Sequence, residues 1–285
     1  MQRSTPLDMQ AGWPPRETGR GRGLPVAVRK AVLALASLVV AFALGFALLL
    51  LVTPSVANAR QLAQAFDHAH GAPYPGVATP ARFSTALQAT EDHRFASEPG
   101  VDPFGAGRSI YGILRGRGDQ GGSTLYQQLA KMLYTPAQAG LGAKAEQVAL
   151  AVKLKYSYSG TEILRLYSDV AYFGHGFYGL QNASCGYFGV PPAQMSWPQA
   201  ALLAGLVQAP SSDDPISYPA AGLSREQHVL DRLVSVGAIS QASADAYLRI
   251  PISDLVAHAG GCGPNGAGGQ RQHGNDGQQQ QARND

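Results

Sequence analysis

The sequence predicts a mainly α protein carrying one N-terminal transmembrane helix, and three observations lead there. An apolar run without a single charged side chain occupies residues 31–52. Beyond it, apolar residues recur at helical spacing in one segment after another. No comparable succession of alternating strand patterns is present, and Gly, Pro and Ser clusters at 97–107, 135–142, 189–192 and 209–222 separate the helical segments.

Residues 1–30 contain Pro14, Pro15, Arg16, Arg20, Arg22, Arg29 and Lys30 with little apolar periodicity, the composition of a disordered basic tail. As a helix, residues 31–52 would span roughly 33 Å, enough for the hydrocarbon core of a bilayer. A cleaved signal peptide competes with this reading, since TPSVANA at 53–59 offers a weak small-residue cleavage site. Its apolar core, however, would run only about 7 to 15 residues. Basic residues precede the span and Arg60 alone follows closely, so the positive-inside bias keeps the N-terminus cytoplasmic and exports the remainder.

Residues 53–81 read as stalk and linker: 56–70 could continue as a helix, and Pro73, Pro75 and Pro80 then interrupt regular structure. Helical segments near 82–95, 123–134, 144–158, 161–172, 198–208 and 224–248 build one compact domain over 82–258. Residues 259–285, rich in Gly, Gln and Asn, lack an apolar face and read as a disordered tail.

The net charge of +3 gives no reason to propose a nucleic-acid partner, because much of the basic excess lies in the N-terminal tail. Cys185 and Cys262 are the only cysteines, the second within the low-complexity tail, so two free thiols are expected. No zinc or calcium signature is present.

Two motifs carry chemistry. In GGSTLYQQLAK, Gly121 and Gly122 permit a close backbone approach, while Ser123 or Thr124 can cap the following helix, whose N-terminus suits an anion. Thr124, Gln127 or Gln128, and Lys131 then fall on one helical stripe able to hold a phosphorylated ligand. The bland alternative is a well-capped surface helix. In the second motif, EDHRF, Glu91 and Asp92 diverge by about 100° around a helix, so one can face a cleft while the other makes structural hydrogen bonds.

Together EDHRF, GGSTLYQQLAK, the helix from Lys144, TEILRLYSDVAYFGHGFYGLQNASCGYFG and ALLAGLVQAP resemble, in order, the peptidoglycan glycosyltransferases of family 51. The resemblance implies a lysozyme-like helical domain that polymerises lipid II outside the bacterial cytoplasmic membrane. With no room left for a transpeptidase domain, the chain resembles the monofunctional type, anchored by one span. Glu91 matches the family's base, acting on the acceptor 4-hydroxyl. Ser123, Thr124, Gln127, Gln128, Lys131 and Lys144 match the donor-site residues, with Lys131 assigned to diphosphate charge. Asp92, Phe95, Gly121 and Gly122 support the site. The implied partners are lipid II, the growing glycan strand, the membrane and cell-wall synthesis proteins, and Mg2+ or Mn2+ is the candidate ion.

The sequence also departs from the family pattern. Glu98 stands where the family's usual downstream histidine lies, and Tyr126 where Thr or Ser precedes the paired glutamines. Ala143-Lys144 replaces an Arg-Lys pair, Gln147 the first glutamate of the third motif, and Lys155 the second. Tyr167-Ser168-Asp169 replaces Tyr-Leu-Asn, and PAQAGLGAK lacks the usual arginines. Lys144 and Lys155 are eleven residues apart and share a helix face with Gln147 and Ala151. On that basis Lys155 is expected to meet the donor site and neutralise the diphosphate directly. Lys153, on another face, is expected to be solvent-facing or snorkelling. His175 and Tyr178 read as turn residues or substrate contacts, and Cys185 as a small buried contact.

Two other function classes remain: a catalytically impaired membrane-anchored protein that binds lipid II, glycan or a synthase, and a lytic muramidase. The anion-ready helix disfavours the muramidase, whose neutral polymer needs no diphosphate site.

Overall fold

The computed structural model describes residues 25–105, 111, 115, 122–256 and 262. Gly121, most of the basic tail and all of the C-terminal tail except Cys262 therefore lie outside the described residues.

Two units are distinguished, Met1–Ala47 and Leu48–Asp285. Helix α1, Val26–Val52, dominates the first and is apolar and long enough to cross a membrane. It starts ahead of the uncharged run at 31–52, so Arg29 and Lys30 belong to its opening turns.

The second unit is helical, with a lone bridge between Tyr172 and Tyr178 and no sheet among the described residues. Its helices are α2 (Ala59–Ala69), α3 (Ala81–Glu91), α4 (Leu125–Tyr134), α5 (Gly140–Ser157), α6 (Gly160–Val170), α7 (Leu180–Phe188), α8 (Trp197–Leu206), α9 (Pro219–Ser235), α10 (Gln241–Tyr247) and α11 (Ile252–Leu255). Helix α8 is buried nearly all round, with Ala200, Ala201, Leu202, Leu203, Ala204 and Leu206 fully covered. Its start is secured by a capping box between Ser196 and Gln199 with Pro198 in the first turn. Helix α9 packs against α8 and α3, while α4 packs against α5 and α6. Leu87 of α3, Leu129 of α4, Leu150 of α5 and Leu166 of α6 meet in one core.

Several expectations need correction. Residues 59–69 are not a free-standing stalk: Ala59 and Ala63 are fully buried one turn apart, and α2 packs on α6 and α4. The long 224–248 segment is two helices, α9 and α10, separated by a turn at Gly237. Helix α7 escaped the periodicity reading because its sequence, LQNASCGYF, lacks an apolar stripe. Its Gly186 serves packing instead, since a Cβ there would collide with the Phe177 ring. Cys185 and Cys262 are not free thiols but form a disulfide across 77 residues. A low-complexity context hid the pairing, which depends on where Cys262 lies in space.

Candidate active site

Helix α3 delivers Glu91 at its last turn, and Asp92, the C-cap, turns the chain away. As the divergence of adjacent helical positions requires, the two carboxylates part company. Asp92 is buried and its Oδ2 accepts the Leu125 amide at 3.0 Å, tying the end of α3 to the start of α4. Burial pushes the Asp92 carboxyl up, opposed by that amide.

Glu91 lines a cleft of about 900 Å³ together with Ser123, Gln127, Gln128, Lys131, Lys144, Gln147, Tyr167, Arg225 and His228. An adjoining recess of about 460 Å³ shares Thr90, Glu91, Ser123 and His228 and adds Asp92, Asp102, Gly122, Thr124 and Arg232. Burial raises the Glu91 pKa, while the hydrogen bond from Gln128 and the charge of Arg225 pull it back. Gln128 Nε2 donates to Glu91 Oε2 at 2.9 Å, and Tyr167 Oη donates to Gln128 Oε1 at 2.8 Å. Three helices, α3, α4 and α6, thus converge on one carboxylate.

The start of α4 is less open to an anion than its sequence suggests. Thr124 and Gln127 form a reciprocal capping box, the Gln127 amide donating to Thr124 Oγ1 at 3.2 Å and the Thr124 amide to Gln127 Oε1 at 3.0 Å. Thr124 Oγ1 donates to the Gly100 carbonyl at 2.8 Å, and Asp92 already accepts from Leu125. These amides satisfy the protein itself. The cationic wall is provided by side chains: Lys131 is exposed toward solvent, and Lys144 Nζ donates to Ser123 Oγ.

The two lysines of α5 do not meet one ligand. Eleven residues place Lys155 about 16 Å along the axis from Lys144, and Lys155 does not line the cleft. Its ammonium donates to the carbonyls of Phe95 at 3.3 Å and Ala96 at 3.2 Å, and to Tyr126 Oη at 3.2 Å. The expected direct approach to the donor site is therefore absent. Phe95 stacks on Tyr126 with centroids 4.8 Å apart. Lys153 is half-buried, and its Nζ donates to the Thr53 and Pro54 carbonyls at 2.8 and 3.0 Å. His175 is a turn residue, its Nδ1 3.1 Å from Asp214 Oδ2, and Tyr178 packs on Tyr172; neither lines the cleft.

Sequence reasoning missed the third wall, formed by Arg225, His228 and Arg232 of α9. Arg225 is held by the Gly205 carbonyl, Gln208 and Asp213, and Arg232 Nε donates to the Ala89 carbonyl at 3.0 Å. Burial and the two arginines lower the His228 pKa, which favours a neutral imidazole beside Glu91. The signal was present as basic residues at i, i+3 and i+7, a spacing that places them along one face.

No cluster of three His, Cys, Asp or Glu side chains among the described residues can hold a metal ion. The residues present do not fit a protein cage for Mg2+ or Mn2+, and cationic side chains carry the positive charge of the cleft.

A helical domain that places a burial-raised glutamate opposite lysines, with a glutamine bridging to it, is the kind of site a glycosyl-transferring enzyme uses. The profile of the transglycosylase family matches residues 60–234, more than half of the 285-residue chain, and the chain belongs to that family. Its helical domain is accordingly of the lysozyme-like type.

Penicillin-binding protein 1A of Mycolicibacterium smegmatis is 38% identical over 177 residues, covering 60% of this chain and 22% of that protein. Penicillin-binding protein 1A of Streptococcus oralis is 36% identical over 179 residues, covering 61% and 28%. A Cupriavidus necator protein named as a transglycosylase is 32% identical over 173 residues, covering 61% of this chain and 75% of its own length. The chain thus spans roughly a quarter of the penicillin-binding relatives, 22% and 28%, and three quarters of the last protein, 75%.

Proposed function

We propose that this protein is a peptidoglycan glycosyltransferase that polymerises lipid II into β-1,4 glycan strands and releases undecaprenyl diphosphate, for cell-wall biogenesis. The observation that carries this reading is Glu91, raised by burial and held by Gln128 in a cleft that also contains Lys131 and Lys144.

Glu91 is the general base. Gln128 occupies Oε2, so Oε1 takes the proton from the acceptor 4-hydroxyl as that oxygen attacks the anomeric carbon of the donor. The bond from that carbon to the diphosphate oxygen breaks as the new glycosidic bond forms, with inversion. The departing diphosphate needs charge neutralisation more than protonation, which Lys131 and Lys144 supply. Ser123 orients Lys144, and Gln127 and Thr124 hold the start of α4 in place. Arg225 tunes Glu91 electrostatically.

In this reading, residues 31–52 anchor the chain in the bacterial cytoplasmic membrane, residues 1–30 stay cytoplasmic, and the domain within 82–258 works outside. Helix α1, whose length and apolarity suit a span, supports the anchor. The substrate tail lies in that same membrane, and other cell-wall synthesis proteins are natural partners.

Purified full-length protein incubated with lipid II provides the test. Glycan polymer is expected from the wild type, with a loss of about 10³-fold or more in Glu91→Gln and about 10- to 100-fold in Lys131→Ala and Lys144→Ala. Polymerisation unchanged by Glu91→Gln would overturn the assignment. Binding of lipid II without turnover would instead indicate a glycan-binding protein, and cleavage of preformed glycan a muramidase.

A further inference from the structure

The chain that leaves α1 is bound to the helical domain by side chains from α4 and α5. Pro54 stops α1, and Thr53 closes its last turn, its amide and hydroxyl both donating to the Leu49 carbonyl at 3.1 and 2.9 Å. Lys153 of α5, 100 residues further along the chain, reaches back so that its Nζ donates to the Thr53 carbonyl at 2.8 Å and the Pro54 carbonyl at 3.0 Å. Tyr158, the C-cap of α5, donates its hydroxyl to the Val56 carbonyl at 2.8 Å. Tyr134, the last residue of α4, has its hydroxyl 3.3 Å from that carbonyl and 3.1 Å from Asn58 Oδ1. Val56 is buried, and Arg60 just beyond it pairs with Glu162 at 2.8 Å and lies over the Tyr158 ring. Residues from Leu48 onward belong to the second unit, so all of these contacts lie within it.

A flexible tether leaves its carbonyls to water, whereas here the carbonyls of residues 53, 54 and 56 each have a side-chain donor. The donors come from the two helices that also carry the cationic wall of the cleft. Lys131 lies one turn before Tyr134 on α4, and Lys144 lies about 14 Å along α5 from Lys153. A substrate diphosphate sits at the surface of the bilayer that holds its tail, so Lys131 and Lys144 have to meet it at one depth. Six residues free to extend could carry a domain through roughly 20 Å, far more than the reach of a hydrogen bond.

We propose that Lys153, Tyr134 and Tyr158 clasp residues 53–56 and thereby fix the depth at which the cleft meets a substrate held in the bilayer. They are positioning residues that act through Lys131 and Lys144. Lys153 is the central member, because one ammonium on a long stem satisfies two successive carbonyls just past the end of α1, where positive charge is also favoured by the helix dipole. Without the clasp the domain keeps its core and its cleft, but the six residues after the span become a loose linker. The cost then falls on the encounter with a membrane-held diphosphate, through a lower effective concentration of the two lysines at that depth.

The positioning part of the inference rests on the proposed function; the clasp itself does not. The experiment uses full-length protein carrying Lys153→Met, Lys153→Arg or the pair Tyr134→Phe and Tyr158→Phe. Limited subtilisin cleavage, mapped by mass spectrometry, reads the clasp: cutting within 53–58 should be about 5-fold faster in Lys153→Met and in the tyrosine pair than in wild type or Lys153→Arg. Equal cutting in all four proteins would overturn the clasp. Polymerisation is then measured with lipid II in phospholipid vesicles holding the protein, and with a water-soluble, short-tailed lipid II analogue added to the same vesicles. Lys153→Met should lower kcat/KM about 10-fold for the membrane-held substrate and less than 2-fold for the soluble one, with Lys153→Arg restoring the first to within about 2-fold. Equal losses on both substrates would refute the positioning role, since a damaged fold harms both alike, and so would no loss on either. If the wild type polymerises neither substrate, the function proposed above fails, and the cleavage rates alone decide the clasp.

Discussion

Gln128 donates to Glu91 Oε2 at 2.9 Å while its own carbonyl accepts the Tyr167 hydroxyl at 2.8 Å. The relay fixes the orientation of the amide: with Oε1 engaged by Tyr167, only the nitrogen end can face the carboxylate. Gln128 thus stabilises the ionised form of Glu91 against the burial that raises its pKa.

Removing that donor has a definite sign. Gln128→Leu should raise the Glu91 pKa further, so the acidic limb of the kcat/KM profile should move to higher pH by about 1 unit. Tyr167→Phe, which frees the amide to turn, should move it in the same direction by less. Polymerisation rates measured from pH 5 to 9 check both, and a limb that moves to lower pH contradicts the relay.

Glu226 of α9 is fully covered, and neither oxygen has a hydrogen-bond partner among the described residues. Burial pushes its pKa up to about 7. Because the folded value exceeds the unfolded one, the folded chain binds the extra proton, and the stability this gives is present below the ordinary glutamate pKa. It is lost as pH rises toward and past 7. Glu226→Gln, neutral at every pH, should therefore stabilise the protein at pH 8 by about 2 to 3 kcal/mol relative to its effect at pH 4.5. Urea unfolding at the two pH values measures the difference. Asp67, also buried and raised to about 7, adds its own slope to both proteins and cancels from the comparison.

The Cys185–Cys262 disulfide closes a loop of 77 residues. Under the chain-entropy account, a loop of that size contributes about 4 kcal/mol. Denatured protein without reductant should show no free thiol by colorimetric titration, and Cys185→Ser should lower Tm by roughly 10 °C. Two titratable thiols in protein purified under oxidising conditions would mean that the bridge does not form. A disulfide also suits an oxidising compartment, the side of the membrane on which the domain is proposed to act.

Neighbouring residues along the chain were enough to reveal the apolar span, the capping signals of α4, the order of the motifs and hence the family. Each depends on short-range spacing, whether 3.6-residue periodicity or a side chain reaching its own helix end. Of the cleft-lining positions, Gln128 and Lys131 were legible from helical spacing, whereas Glu91 and Lys144 were assigned through the family resemblance. Long-range convergence was not: Tyr167 reaches Gln128 from α6, Arg225 and His228 approach from α9, and Cys262 reaches back to Cys185. Lys155 is the clearest case, since helical periodicity set it on the face of Lys144 but could not supply the backbone carbonyls that capture its ammonium. Those carbonyls come from the loop after Glu91, brought against α5 by close packing at Gly100, and burial, hydrogen bonding and charge at that junction exist only once the helices have packed.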